Sequence, residues 1–251
     1  MTNIYRLVCT LFVSSAMFII GCGAPQDYTP QITAPAAETK PLYTPNMYKN
    51  SAPTAPKPKT STYTSPSSNN SLDGKVIVID PGHGGKDPGA TKASYSSAQE
   101  KYLNLVIARE LEKQLTKCGA RVIMTRKSDT FLELEERSAV AQKYKPDLFI
   151  AIHTDANPHD LSICGPSVYV ARSASQKSRT AAMKINASLR NWGFQPRGVR
   201  NADFKVLIQH SSPAVLIECG YLTNKQEAQR LNNPAHQIKI AKAIAEAVCQ
   251  L

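Results

Sequence analysis

A chain of 251 residues with 42% apolar and 20% charged side chains has room for one large domain with a hydrophobic core, and this composition excludes a disordered or fibrous protein. The formal net charge is +11, yet Lys and Arg are scattered singly with no block of five or six, which argues against a nucleic-acid-binding tail. A basic surface facing some other anionic polymer accounts for the charge equally well.

Arg6 precedes an apolar stretch from Leu7 to Ile20, about the length of a secretory signal core. It falls short of the roughly 20 apolar residues that a membrane-spanning helix needs. The run Ile19-Ile20-Gly21-Cys22 resembles the lipobox of bacterial lipoproteins. That resemblance implies a signal peptide over residues 1–21 and a lipid on Cys22 that anchors the exported protein to a membrane, facing the periplasm or cell wall. Each buried CH₂ of such a lipid contributes about 0.8 kcal/mol. Gly23, rather than Asp, follows the Cys and is similar to the outer-membrane sorting pattern of Gram-negative lipoproteins. Nine of the 17 prolines then fall between Gly23 and Leu72 without any apolar period, so residues 22–71 are expected to form a flexible tether.

From residue 72 onward the pattern becomes α/β. Lys75 to Asp80 is a β-branched run ending in Pro-Gly, a buried strand. Leu103, Val106, Ile107, Leu111 and Leu115 recur at helical spacing, and the helix stops near Gly119. A strand over Arg121–Thr125, a helix over about Leu132–Lys143 and a strand over Asp147–Ile152 follow. Further on come a strand near Tyr169, a helix from Gln176 to Trp192, a strand from Ala214 to Glu218, and a final helix marked by Ile238, Ala241, Ile244 and Val248. The alternation predicts a single domain, a largely parallel twisted sheet with helices on both faces.

Three of the strands end in reactive groups: Asp80-Pro-Gly-His83, His153-Thr-Asp155 and Glu218-Cys-Gly220. In open α/β sheets the site lies beyond the carboxyl ends of the strands, so parallel pairing would bring these three together. Two histidines and a carboxylate suit a catalytic zinc site, which uses three N or O ligands and leaves a fourth position open. His83 and His153 supply nitrogen; spacing leaves the carboxylate open among Asp80, Asp87, Glu100, Asp155 and Glu218.

Four segments narrow this choice. The stretch Asp80-Pro-Gly-His-Gly-Gly-Lys-Asp-Pro-Gly-Ala90, the pairs Glu100-Lys101 and Asn104-Leu105, the run Ala151-Ile-His153-Thr-Asp-Ala-Asn157, and Pro213 to Asn224 with Glu218 inside it resemble, in order, the motifs of the amidase-3 family of N-acetylmuramoyl-L-alanine amidases. The resemblance implies zinc held by His83, Glu100 and His153, with Glu218 as the catalytic carboxylate. It implies cleavage of the amide between N-acetylmuramic acid and L-alanine in peptidoglycan, for wall remodelling or daughter-cell separation. Asp80 or Asp155 then either orients a ligand imidazole or caps a loop.

His159, His210 and His236 lack comparable context and are expected to be ordinary loop or surface residues. Arg197 and Arg200 either meet stem carboxylates at the rim or are solvated charge. Ile208 stands where relatives carry Arg, so that contact is absent or supplied by Gln209 or His210. Four cysteines remain in the domain (Cys118, Cys164, Cys219 and Cys249) and allow three pairings, none of which is assigned. A serine peptidase of the wall would need Ser with Lys three residues on; no Ser has it, and the one Thr-x-x-Lys, Thr54 to Lys57, lies in the tether. His153 and Glu218 stand 65 positions apart, a span filled by a strand, a helix and the approach to the last strand. Only Arg197–Asp203 is left over, too little for a helix that covers the site. The protein is therefore expected to need no activating partner; it is also expected to be a monomer.

Overall fold

The computed structural model describes residues 71–90 and 95–251. The signal segment, Cys22 and the tether as far as residue 70 lie outside the described residues. Twelve elements run in the order β1 (Val76–Pro81), α1 (Glu100–Lys117), β2 (Arg121–Met124), α2 (Leu134–Tyr144), β3 (Leu148–Asp155), β4 (Ser167–Val170), α3 (Gln176–Asn191), β5 (Val199–Asn201), α4 (Lys205–Ile208), β6 (Ala214–Tyr221), α5 (Lys225–Leu231) and α6 (Pro234–Val248).

The strands form one sheet in the order β2-β1-β3-β6-β4-β5. Pairing is parallel throughout except between β4 and β6. Because helices cover both faces, the central strands are apolar at successive positions rather than at alternate ones. Ile77, Ile79, Ile150, Ile152, Val215 and Ile217 belong to the core beneath α1, α3 and α6. The intervening Val78, Phe149, Ala151 and Leu216 face the other way, toward Ala141 of α2 and Val206 and Leu207 of α4. The expected layered α/β architecture is the one observed.

Helix ends follow local chemistry. Glu133 and Glu136 form a reciprocal capping box that starts α2, and Lys145 ends it in the left-handed region at φ 43°. Ser175 caps α3 through the Ser178 amide, and Asn233 caps α6 ahead of Pro234. No helix among the described residues is long and apolar enough to cross a membrane.

The structure departs from the sequence-based expectation at Arg197–Asp203, adds the short helices α4 and α5, and gives a cysteine pairing that the sequence left open. The segment Arg197–Asp203 is not left over: it contributes β5, which adds to β4 in parallel and is exposed at all three positions. Cys118 and Cys249, the C-terminal caps of α1 and α6, are joined by a disulfide across a separation of 131 residues. Cys219 is free and buried, and Cys164 is free and exposed.

Candidate metal centre

Strands β1, β3 and β6 are neighbours and parallel, so their carboxyl ends open on the same edge. In register, Pro81 sits beside Ile152, and His153 beside Glu218. Gly82 has to be glycine, because a Cβ there would lie 2.1 Å from the His153 ring. The chain then enters His83 at φ 61°, a left-handed conformation that costs a non-glycine residue on the order of 1–3 kcal/mol and has to be held by its surroundings.

Two buried arginines do the holding. Arg126 donates from Nε to the Pro81 carbonyl at 2.9 Å and from Nη2 to the Gly82 carbonyl at 2.8 Å. Arg137 donates from Nη1 to Pro81 at 2.8 Å and from Nη2 to the His83 carbonyl at 2.8 Å. Asp80, fully buried, pairs with Arg137 Nη1 at 2.9 Å and so stabilises the clamp. Beyond His83, Asp129 accepts from the Gly85 amide at 2.7 Å, while Lys101 bridges Asp129 and the Gly85 carbonyl, each at 2.7 Å.

The ligand-type atoms converge on Glu100, the first residue of α1. Its Oε1 lies 3.2 Å from His83 Nε2 and 3.2 Å from His153 Nδ1. One donor atom from each of His83, Glu100 and His153 falls within 4.8 Å of the others. Oε1 also accepts from Asn104 Nδ2 at 3.1 Å and from the Thr154 amide at 3.2 Å, and Oε2 accepts from the Ala90 amide at 2.8 Å. Gly89, at φ 77°, lets the backbone pass this carboxylate: a Cβ there would lie 2.4 Å from Oε2. Asp87 Oδ2 holds the remaining ring nitrogen of His83, Nδ1, at 2.7 Å.

Charge follows from these contacts. Burial pushes Glu100 upward, but the hydrogen bonds and charges of His153 and His83 outweigh it and hold the carboxyl well below its usual range. For His83, burial opposes the charged ring, and the bonds to Glu100 and Asp87 overcome it and raise the pKa. Glu218 behaves in the opposite way. Burial, reinforced by the nearby Asp155 and Glu100, raises its pKa well above the ordinary value, and its Oε2 has no hydrogen-bond partner.

These groups open into a cleft of ≈ 460 Å³ lined by His83, His153 and Glu218 and walled by Phe131, Leu134 and Phe204. The three donors expected from the resemblance are together, and Glu218 faces the same cleft. The second carboxylate is placed differently: Asp87 orients His83, whereas Asp80 pairs with Arg137 and Asp155 accepts from its neighbour's amide at Ala156. Neither Gln209 nor His210 lines the cleft. Gln209 is bonded to Ser138 and Gln142 of α2 and His210 Nε2 to the Val206 carbonyl, while Lys205 and Arg137 are cations that line the cleft. His236 packs against Phe194, away from the site. Arg126 and Arg137 escaped the sequence reading, since nothing in their spacing separates them from solvated charge.

The family profile for N-acetylmuramoyl-L-alanine amidase matches residues 77–250. The probable cell wall amidase LytH of Staphylococcus epidermidis is 38% identical over 184 residues, which cover 73% of this chain and 60% of the relative. The chain thus spans less than two thirds of that relative's length. Among solved structures, an N-acetylmuramoyl-L-alanine amidase from Clostridium difficile 630 superposes with a TM-score of 0.67 at 32% identity, over 70% of this chain and 95% of that one. The CwlD amidase from Clostridioides difficile, solved in complex with the GerS lipoprotein, gives 0.66 at 30% identity over 70% and 97%. With its fold, its convergent strand ends and these similarities, the chain belongs to the N-acetylmuramoyl-L-alanine amidase family.

Proposed function

We propose that this protein is a zinc-dependent amidase that hydrolyses the bond between the lactyl group of N-acetylmuramic acid and the L-alanine of peptidoglycan stems. The observation that carries the reading is the pairing of a two-nitrogen, one-oxygen donor set with a buried, unpartnered carboxylate in one cleft. Such a donor set is that of a catalytic zinc site, with room for a fourth position. His83, Glu100 and His153 would hold the ion. Zinc there supplies Lewis acidity, to the scissile carbonyl and to a water.

The protein's own groups do the rest. Asp87 fixes the His83 ring through Nδ1, and the arginine clamp fixes its backbone. Glu218, buried in the cleft with no hydrogen-bond partner at Oε2, accepts a proton from the attacking water. It then delivers that proton to the departing amine as the C–N bond breaks. The products are the lactyl carboxylate on the glycan and a stem with a free L-alanine amine.

The lipobox resemblance supports a lipid on Cys22 and an exported, membrane-anchored location from which the tether lets the domain reach the wall. The open cleft supports a site that acts without an activating protein. The test is to assay the full chain, purified in detergent, on isolated sacculi after chelation and after zinc is restored. Zinc-dependent release of stems with L-alanine at their amino end supports the reading. Glycan or peptide cleavage without such stems, or silence until another protein is added, overturns it or its regulatory part respectively.

A further inference from the structure

The cleft does not end at the metal-type donors. Glu218 and Leu216 both line it and stand two positions apart on β6, so they share one face of the sheet and lie about 7 Å apart along the strand. That face is the one covered by α2 and α4. From Glu218 the cleft therefore runs back over Leu216 into a trough. Its walls are Leu132–Leu134, at the entry to α2, and Phe204–Val206, at the start of α4. A reacting amide held beside Glu218 would leave the adjoining part of its substrate over this trough.

Most charged side chains of the cleft are occupied within the protein. Arg137 is buried and donates to the Leu132, Pro81 and His83 carbonyls and to Asp80. Asp87 holds His83, and Glu133 belongs to the capping box of α2, with Lys86 4.0 Å away. Lys205 is different. Buried Val206 and Leu207 fix the backbone of α4, while the Lys205 side chain is 60% exposed. Its one ion pair among the described residues is with Glu135 of α2, at 3.7 Å and 64% exposed. That separation is longer than a hydrogen bond, and so exposed a pair contributes little. Glu135 also accepts from Gln209 Nε2 at 3.4 Å, so it keeps a partner when the ammonium leaves. The Lys205 ammonium is thus free to exchange Glu135 for a carboxylate carried by a ligand.

We infer that Lys205 recognises the stem peptide, taking the free carboxylate of the stem residue that follows L-alanine. The inference rests on the amidase reading above. The glycan is uncharged where its lactyl group is in amide linkage, so the anionic part of the substrate is the stem. A Lys ammonium is a point charge on a flexible chain and needs no bidentate geometry. The contact therefore selects for charge: stems whose second residue carries a free carboxylate are preferred to stems in which that carboxyl is an amide.

The test uses the full chain in detergent and two soluble glycan fragments that differ only at the second stem residue. One carries D-glutamate with a free α-carboxylate, the other its amide, D-isoglutamine. The ratio of kcat/KM for the two is measured in wild type, Lys205→Gln, Lys205→Glu and Lys205→Arg, all of which should melt as the wild type does because the side chain is exposed. The expected result is a wild-type preference for the acid of about three- to tenfold, carried by KM and weakened by salt. Lys205→Gln should bring the ratio to about one, Lys205→Glu should reverse it, and Lys205→Arg should keep it. No preference for the acid in the wild type, or an unchanged preference in Lys205→Gln, overturns the inference. Affinity for both fragments is also measured in the Glu218→Gln chain, with and without Lys205→Gln, where the ligand stays intact. If the wild type cuts neither fragment, the amidase reading fails, while the ratio of affinities still decides this one.

Discussion

The buried guanidinium of Arg137 donates to the carbonyl oxygen of His83 at 2.8 Å, tying helix α2 to the loop that carries a metal-type ligand. The same side chain neutralises Asp80, which is fully buried. Arg137→Ala leaves that carboxylate without its partner and should cost about 3–5 kcal/mol of stability. Arg137→Lys keeps the charge but not the planar fork, so it should fold and bind zinc more weakly. Melting curves and chelator competition separate the two effects; wild-type zinc affinity in Arg137→Lys would remove the clamp's role at the site.

Asp87 is the partner of His83 Nδ1 at 2.7 Å and sets which ring nitrogen faces the cleft. Outer partners of metal-bound histidines typically change affinity or activity about 10–100-fold when removed. Asp87→Ala should do so with at most a small change in the melting temperature of the zinc-free protein, because the carboxylate is partly exposed and otherwise accepts only from the Gly89 amide. Unchanged zinc affinity in that variant argues against the arrangement.

Disulfide Cys118–Cys249 closes a separation of 131 residues by joining the ends of α1 and α6. Removing a bridge of this kind typically costs about 2–5 kcal/mol. Cys118→Ser should lower stability by that order in denaturant unfolding and leave the zinc stoichiometry of the folded protein intact, since neither cysteine touches the site. Equal stability before and after reduction contradicts the prediction.

Burial, with the charges of Arg230 and Lys239, pushes His236 down to about 4. An unfolded His titrates near 6.5. Above that pH both states are neutral and stability is at its maximum for this group. Between about 6.5 and 4 the unfolded chain binds a proton that the folded chain does not, so stability falls as pH falls. His236→Gln should flatten this part of the stability profile; parallel wild-type and variant curves from pH 7.5 to 4 contradict it.

The parts of the architecture visible in the sequence were those with a local cause. Runs such as Val76–Ile79 and Ala214–Ile217 are apolar at every position because both sheet faces are covered, and their polar ends marked His83, His153 and Glu218. Glu100 was different: it opens a helix 17 positions after His83, and only the family resemblance separated it from other carboxylates. Val199-Arg-Asn201 shows no alternation because an exposed edge strand buries neither face, so β5 stayed hidden. The disulfide depends on α1 docking against α6, and the roles of Arg126 and Arg137 on carbonyls that exist as a cluster only after folding.

Glu218 bears the central claim, because among the described residues it is the cleft carboxylate that is buried, without a hydrogen-bond partner at Oε2 and outside the donor set. The direct measurement is zinc content and stem release from sacculi for Glu218→Gln beside His83→Ala and wild type. The account predicts that Glu218→Gln keeps about one zinc per chain and loses turnover by about 10²–10⁴-fold, while His83→Ala loses zinc. Near-wild-type turnover in Glu218→Gln, or full zinc in His83→Ala, would contradict it.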